Sequence, residues 1–524
     1  MLKNVLIGIG GTGSRVIESV VHLCAAGYGP DKLHIFIIDP DSGNGNLTRT
    51  KTLIKQYSEL RKNFQRTRTN PCFRTEIIIP PDDAQFIWSI FDEKKYSLSK
   101  FINYDNLKRN DPNLADLANV LFTQKELDTK LDEGFRGHPS IGAVVMSDPP
   151  MDEYPFKLLW DDIASLSAND LRVFLVGSIF GGTGAAGFPT LGSEQLIKFN
   201  EQKQAKLAGG KSKVLLGGAL VLPYFSFSVD ESTKESLFVT PNDFPIATKA
   251  ALQYYNDKQL GFDQYYLIGD SLAQKVGEFS AGSSTQENFP HYIEMVSALA
   301  ASDFYSQEGF DGVPDKKYFI ACRESTILDW NQLPLTRDSN KLQDERKKFK
   351  KLIVDFTAFA YSYLTYGKEI LSKAHKDLKN ETWYRDNFDE KFKEENYLFN
   401  PRHEDNKAIY EIADDYLSKF LFWISAMDDG ENGNINLINK EMIFSGGKIS
   451  LNVKENQLND PKAFKANIGR ILWEKSNNKD FNIFMKEGLE ESIITDGTIG
   501  AGSKYLNVFY TAASKFNDKN LVLN

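Results

Sequence analysis

The strongest constraint on this chain is a pair of glycine-rich turns, each set between an apolar strand-like run and a segment of helical spacing. The first is Gly8-Ile9-Gly10-Gly11-Thr12-Gly13 at the amino terminus, and the second is Gly181-Gly182-Thr183-Gly184 far downstream. Glycine allows the backbone a positive φ and lets its N–H groups approach phosphate oxygens, while the helix that follows offers its unsatisfied N-terminal donors. One such turn serves tight strand-to-helix packing as readily as it serves a ligand. Two turns that both read Gly-Gly-Thr-Gly predict a chain built around a nucleotide.

Hydrophobic patterning supplies the frame for these turns. Residues 3–9 read as a buried strand, 12–26 as a helix and 33–39 as a second buried strand. Further strands are expected at 171–177, 213–222 and 264–269, with helices from Gly182 to about 205 and over 245–258. Continuous apolar strands alternating with helices predict a doubly wound, mostly parallel α/β sheet covered on both faces. The stretch 40–110 is polar, with one strand near 76–79, and reads as a partly ordered insertion. A helical pattern over 114–133 leads into a glycine-bearing loop at 134–139 and a small-residue helix at 140–147. The run 288–307 reads as a long buried helix, beyond which isolated strands (317–323, 448–453) and a charged helix (341–378) suggest an α+β arrangement. The expected organisation is a nucleotide-binding domain over 1–287, a core helix over 288–307 and an α+β domain over 308–524.

At 524 residues the chain exceeds one ordinary core. A net charge of −9 argues against a nucleic-acid surface spread over the whole protein. The three cysteines Cys24, Cys72 and Cys322 are too dispersed for a disulfide framework or a zinc cluster, and read as reduced core thiols. The six histidines lack metal-ligand spacing, so no metal is expected beyond a nucleotide-borne magnesium. No apolar run approaches the roughly 20 residues of a spanning helix, and the amino terminus is unlike a signal peptide. The expectation is a cytoplasmic protein without a membrane anchor. The charge run 344–351 reads as a solvated helix face, with contact to a protein partner as the sharper alternative.

Two enzyme readings fit the first turn alone. Gly8, Gly10 and Gly13 satisfy G-x-G-x-x-G, and Asp39 ends the second strand where a dinucleotide fold places its ribose-binding acid, although the spacing exceeds the usual ~20 residues. The same stretch resembles adenylating enzymes of the ubiquitin-activating type, through Gly10 to Ser14, Asp39, Asp41 and Asn46-Leu47-Thr48-Arg49. Neither reading explains the second turn.

The whole ordered set resembles the tubulin/FtsZ superfamily over roughly residues 3–305, and within it the divergent prokaryotic tubulin-like proteins. Gly8 to Gly13 resemble the first glycine loop, and Ile38-Asp39-Pro40-Asp41 the acidic loop after the second strand. Gly134-Phe135-Arg136-Gly137-His138-Pro139-Ser140-Ile141-Gly142 resembles the third loop. Phe180-Gly181-Gly182-Thr183-Gly184-Ala185-Ala186 is similar to the tubulin signature, and Pro223-Tyr224 to the strand end that follows. Phe180 and Ala186 depart from the signature glycines. The resemblance implies GTP or GDP with Mg2+, held by Gly10, Gly11, Thr12, Gly13, Gly137, Gly181, Gly182, Thr183 and Gly184, with Asp39 or Asp41 near the magnesium. It implies Asn288 at the guanine edge and Asp230 at the ribose. It further implies head-to-tail self-association into filaments, with hydrolysis at the interface by acids of the neighbouring subunit, for which the candidates are Asp329, Glu308 and Asp311. A non-hydrolysing, nucleotide-bound scaffold is the rival reading within the same resemblance.

Overall fold

The structure is a computed structural model. It describes residues 3–41, 43–64, 70–80, 87–88, 97–131, 134–135, 137–147, 156–157, 171–195, 214–228, 241–258, 260–270, 274–278, 288–306, 317–321, 327–336, 339–372, 375–389, 399–427, 434–435, 437–440, 443–445, 448–449, 451, 481–490 and 500–520.

Up to Ala321 the described residues form ten strands: β1 (Lys3–Ile9), β2 (Lys32–Ile38), β3 (Glu76–Ile78), β4 (Ile87–Trp88), β5 (Leu171–Ser178), β6 (Val214–Val221), β7 (Phe225–Ser228), β8 (Gln264–Ile268), β9 (Gln274–Glu278) and β10 (Lys317–Ala321). Eight of them form one sheet in the order β10-β8-β6-β5-β1-β2-β3, with β4 also paired to β2. Every pairing in it is parallel. β7 and β9 form a separate parallel ladder.

Alternation along the strands sends neighbouring side chains to opposite faces, so each face needs its own cover. Leu6, Ile35, Ile37, Phe174 and Val176 enter one apolar cluster, whereas Val5, Ile7, Phe36, Ile38, Val173 and Leu175 enter the other. The first face is covered by α1 (Gly10–Ala25), α2 (Gly45–Phe64) and, further along the chain, the helix Tyr292–Ser306. The second is covered by α3 (Pro112–Leu121), α4 (Pro139–Met146), α5 (Gly182–Pro189) and α6 (Phe244–Lys258). The doubly wound α/β expectation therefore describes the sheet. Calling Tyr292–Ser306 α7, the chain closes with α8 (Leu342–Ser362), α9 (Glu404–Ala426), α10 (Phe481–Glu490) and α11 (Ala501–Asn520).

Several sequence expectations change. The polar stretch 40–110 contains a 20-residue helix, α2, that buries Leu47, Thr50, Leu53, Ile54, Tyr57, Leu60 and Phe64. Its apolar stripe is narrow and interleaved with Lys, Arg and Thr, which hid the helical period. The helix expected over 114–133 breaks after Leu121, and Thr123 restarts the chain as the cap of Gln124–Leu127, in a capping box with Glu126. The helix expected from Gly182 to 205 is α-helical only to Pro189 and continues as a π-helical turn, Thr190–Gln195. α7 begins at Tyr292 and not at 288. The expected helix 341–378 ends at Ser362 and gives way to a π-helical turn, Tyr363–Gly367. The strand near 317 is not part of a separate α+β unit, because β10 extends the main sheet in parallel with β8. Beyond it the described residues are mostly helical, and their strands are two-residue pairs such as Phe444–Ser445 with Lys448–Ile449.

The C-terminal helices share one continuous apolar cluster with α1, α2 and α7. The Trp423 indole N–H of α9 donates to Ser19 Oγ of α1 at 3.0 Å, and the Tyr416 hydroxyl donates to the Val21 carbonyl at 3.3 Å. A helix enclosed on all sides needs apolar or paired side chains all round, and α1 buries every residue but Gly11. Cys24 and Cys72 are free and buried, as expected, and burial pushes the Cys24 thiol up to about 12; Cys322 lies outside the described residues. No helix among the described residues is long and apolar enough to cross a membrane.

His22 marks the seam between α1 and α9. Its ring stacks on Trp423 at 5.0 Å and lies 5.7 and 5.8 Å from Tyr416 and Phe420, and neither ring nitrogen has a hydrogen-bond partner among the described residues. Burial, reinforced by the charges of Arg49 and Lys419, lowers its pKa well below the usual value, so it stays neutral in the fold. Below pH ~6.5 the unfolded chain takes up a proton that the folded one refuses, so stability falls as the pH drops. The wild type is expected to lose on the order of 1 kcal/mol more between pH 7.5 and pH 5.5 than His22→Leu does. Urea unfolding of both proteins at the two pH values measures this; equal losses would show that His22 is not the group refusing the proton.

Candidate functional site

From β1 the chain steps outward through β2 to β3, and from β5 it steps the opposite way through β6 and β8 to β10. In an open parallel sheet the reversal leaves a crevice at the carboxyl ends of the two central strands, because the flanking loops leave in opposite directions. Here those strands are β1 and β5, paired from Lys3↔Leu171 to Ile9↔Gly177. The first glycine turn leaves β1 and the second follows β5, so the topology alone brings both turns to one crevice.

Their contact is direct. Gly10 has φ +72°, and a Cβ there would lie 3.3 Å from the Thr183 Cβ. Residues 134–135 and 137–138 join them. Gly134 and Gly137 have φ of +79° and +83°, and a Cβ on Gly182 would meet the Gly137 and His138 backbone nitrogens at 3.0 and 3.1 Å. His138 is held from the other side by Glu126, whose carboxylate lies 3.0 Å from its Nδ1.

The predicted glycines divide into two kinds. A Cβ on Gly13 would fall 2.7–2.8 Å from the Gly8 backbone and the Val176 carbonyl, and one on Gly184 would fall 2.3 Å from the Ser178 carbonyl. These two are glycine because helix and strand backbones touch there. Gly11 differs: its φ is not positive, it keeps partial exposure, and the nearest atom to a Cβ would be Arg15 Nη1 at 4.0 Å. Nothing among the described residues explains the missing side chain at Gly11. Gly137, Gly181 and Thr183 also keep partial exposure around the crevice.

Three helices begin at this crevice without a side-chain cap. The residues preceding α1, α4 and α5 are Ile9, His138 and Gly181; none makes a capping hydrogen bond, and none of the three helices has an acidic residue in its first turn. Helix N-termini usually recruit Ser, Thr, Asp or Asn, or an acidic first turn, to satisfy their free N–H groups and the positive end of the dipole. Three such starts around one crevice are an arrangement suited to an anion.

The remaining predicted residues take other places. The Asp39 carboxylate is buried and accepts the Asp41 N–H at 3.0 Å, a local turn contact; burial pushes it up to about 7, the Asp41 N–H opposing and the Asp41 charge assisting. Asn288 is partly exposed beside the crevice, yet it is drawn into a side-chain network described below. Asp329 caps the 3-10 turn Trp330–Gln332: its carboxylate accepts the Asn331 N–H at 2.8 Å while its own N–H donates to Gln332 Oε1 at 3.0 Å. Asp230, Glu308 and Asp311 lie outside the described residues. No group of three or more His, Cys, Asp or Glu able to hold a metal ion occurs among the described residues.

The structure also reveals a buried polar network that the sequence reading did not anticipate. Arg15, one turn into α1, places Nε 2.6 Å from Glu294 Oε1 of α7, and the Tyr224 hydroxyl donates to the same oxygen at 2.7 Å. Burial opposes the Arg15 charge, but Tyr224 and Glu294 outweigh it and hold the guanidinium protonated. Glu18, one turn further, takes Arg49 of α2 in a forked pair at 2.7–3.1 Å. Arg49 in turn donates to the Asn288 carbonyl at 3.0 Å. The network's sequence signal is an arginine and a glutamate, Arg15 and Glu18, on a helix with no other Asp, Glu, Lys or Arg, residues that are rarely buried unless paired.

No family model and no curated protein matches the chain. Among solved structures it is similar to CetZ from Methanosaeta thermophila strain DSM 6194, at 11% identity and a TM-score of 0.22, covering 51% of this chain and 46% of that one. At that level the likeness carries no argument, and the case for the site rests on its own geometry.

Proposed function

We propose that this chain is a nucleotide-binding protein whose crevice between β1 and β5 holds the phosphates of GTP or GDP. Gly11 carries the reading: its φ is not positive, no described residue packs close enough to require glycine there, and it lies in the uncapped first turn of α1. Backbone donors from 10–13, 137 and 181–184 would cradle the phosphates, with the Thr183 hydroxyl as an added donor. Magnesium would ride on the phosphates, with Asp39 or Asp41 nearby. Head-to-tail self-association, with hydrolysis by Asp329, Glu308 or Asp311 of a neighbouring subunit, belongs to the same proposal and rests on the sequence resemblance.

Gly11→Val is the direct test. It is expected to weaken GTP binding by roughly tenfold or more, as a side chain excludes the phosphate from close approach, while the thermal midpoint stays near that of the wild type. Titration with labelled GTP, with ATP and NAD as competitors, measures the affinity. Binding of NAD in preference to GTP, or affinity unchanged by Gly11→Val, would overturn the proposal.

A further inference from the structure

A cavity of about 410 Å³ lies where β6 and β8 end, apart from the two glycine turns. Leu222 and Pro223 follow β6 into it, and Pro245 and Leu252 of α6 complete the apolar walls. Leu222 fits there because the residue after β8 is glycine: a Cβ on Gly269 would lie 3.0 Å from the Leu222 Cβ. Two leucines and two prolines require an occupant that buries hydrocarbon.

Three polar side chains, Thr248, Lys249 and Asp270, also line the cavity. A helical threonine commonly turns its hydroxyl onto the carbonyl four residues back, as Thr50 does to Asn46 at 3.0 Å and Thr357 to Ile353 at 2.7 Å. Thr248 makes no such bond, and its Oγ1 is buried without a hydrogen-bond partner among the described residues. A hydroxyl left in that state costs free energy that an occupant's acceptor would recover. Lys249 is exposed and has no ion-pair partner among the described residues, whereas Asp270 is already engaged within the chain. The uncommitted groups are therefore an ammonium and a hydroxyl, both able to donate.

We propose that this cavity binds a small monocarboxylate with an apolar body. The hydrocarbon lies against the leucines and prolines, and the carboxylate accepts from Lys249 and Thr248. Asp270, lining the same cavity, disfavours a second negative charge on the ligand. The proposal does not depend on the nucleotide reading.

Octanoate is the probe, titrated calorimetrically into the full-length protein, with octanamide as its uncharged counterpart and a melting curve for each variant. Octanoate is expected to bind the wild type roughly fivefold or more tighter than octanamide, and Lys249→Met is expected to remove that preference. Leu252→Trp fills the cavity and is expected to abolish binding of both probes. A wild type that binds no octanoate, equal affinity for the two probes, or octanoate binding undiminished in a folded Leu252→Trp would each overturn the proposal. Displacement of octanoate by GTP would overturn it too, since the cavity would then belong to the nucleotide's own site. Should Leu252→Trp fail to fold, Lys249→Met, which changes an exposed side chain, decides alone.

Discussion

Arg15→Met is expected to destabilise the protein by about 3–5 kcal/mol, because it strands Glu294 as a buried charge. Glu294 is 1% exposed, and its Oε1 receives both the Arg15 guanidinium and the Tyr224 hydroxyl. A loss of that size is a large share of the ~5–15 kcal/mol that separates folded from unfolded protein. Removing the stranded charge should restore part of it: in Arg15→Met with Glu294→Gln no charge remains to be buried, but the single amide oxygen cannot accept from both Tyr224 and the His291 N–H, which the two carboxylate oxygens serve in the wild type. Urea midpoints of the single and double variants measure the difference. A single variant within about 1 kcal/mol of the wild type would mean that the pair does not form in the protein.

Gly13→Val is the second large effect. The new Cβ would sit 2.7–2.8 Å from three backbone atoms, two on Gly8 and one on Val176, and backbone on two adjacent central strands cannot move aside as a flexible side chain would. The expected cost exceeds about 3 kcal/mol, and the variant should accumulate as insoluble or unfolded protein. Gly11→Val, two residues away, meets nothing closer than the Arg15 guanidinium and is expected to fold. Soluble yield and circular-dichroism melting of the two variants side by side would test the assignment. If Gly13→Val melts like the wild type, the close approach of α1 to β1 and β5 is wrong. The contrast also shows why Gly184→Val is a poor probe of ligand binding: its 2.3 Å clash with Ser178 removes the fold before it reports on the site.

Much of the fold was legible because its determinants are local. Val5, Leu6 and Ile7 read as a strand buried on both faces, and the structure buries them on both. The glycine turns read as strand-to-helix junctions, and they are. Asp39 and Asp41 carried the option of a turn contact, and Asp39 makes it. α2 is hard to read because the stripe it buries, mainly against α1 and α9, is interleaved with charged residues that obscure it.

The amino-acid sequence by itself determined the alternation of strand and helix and the glycines that let them meet, since backbone preference and hydrophobic period act within a few residues. Only the tertiary structure separated Gly11 from Gly13 and Gly184, because that distinction depends on which backbone lies across the gap. It alone joined Arg15 to Glu294, 279 residues apart in the chain. Such partners are chosen by the sheet order that brings distant helices together, and no local pattern records that order.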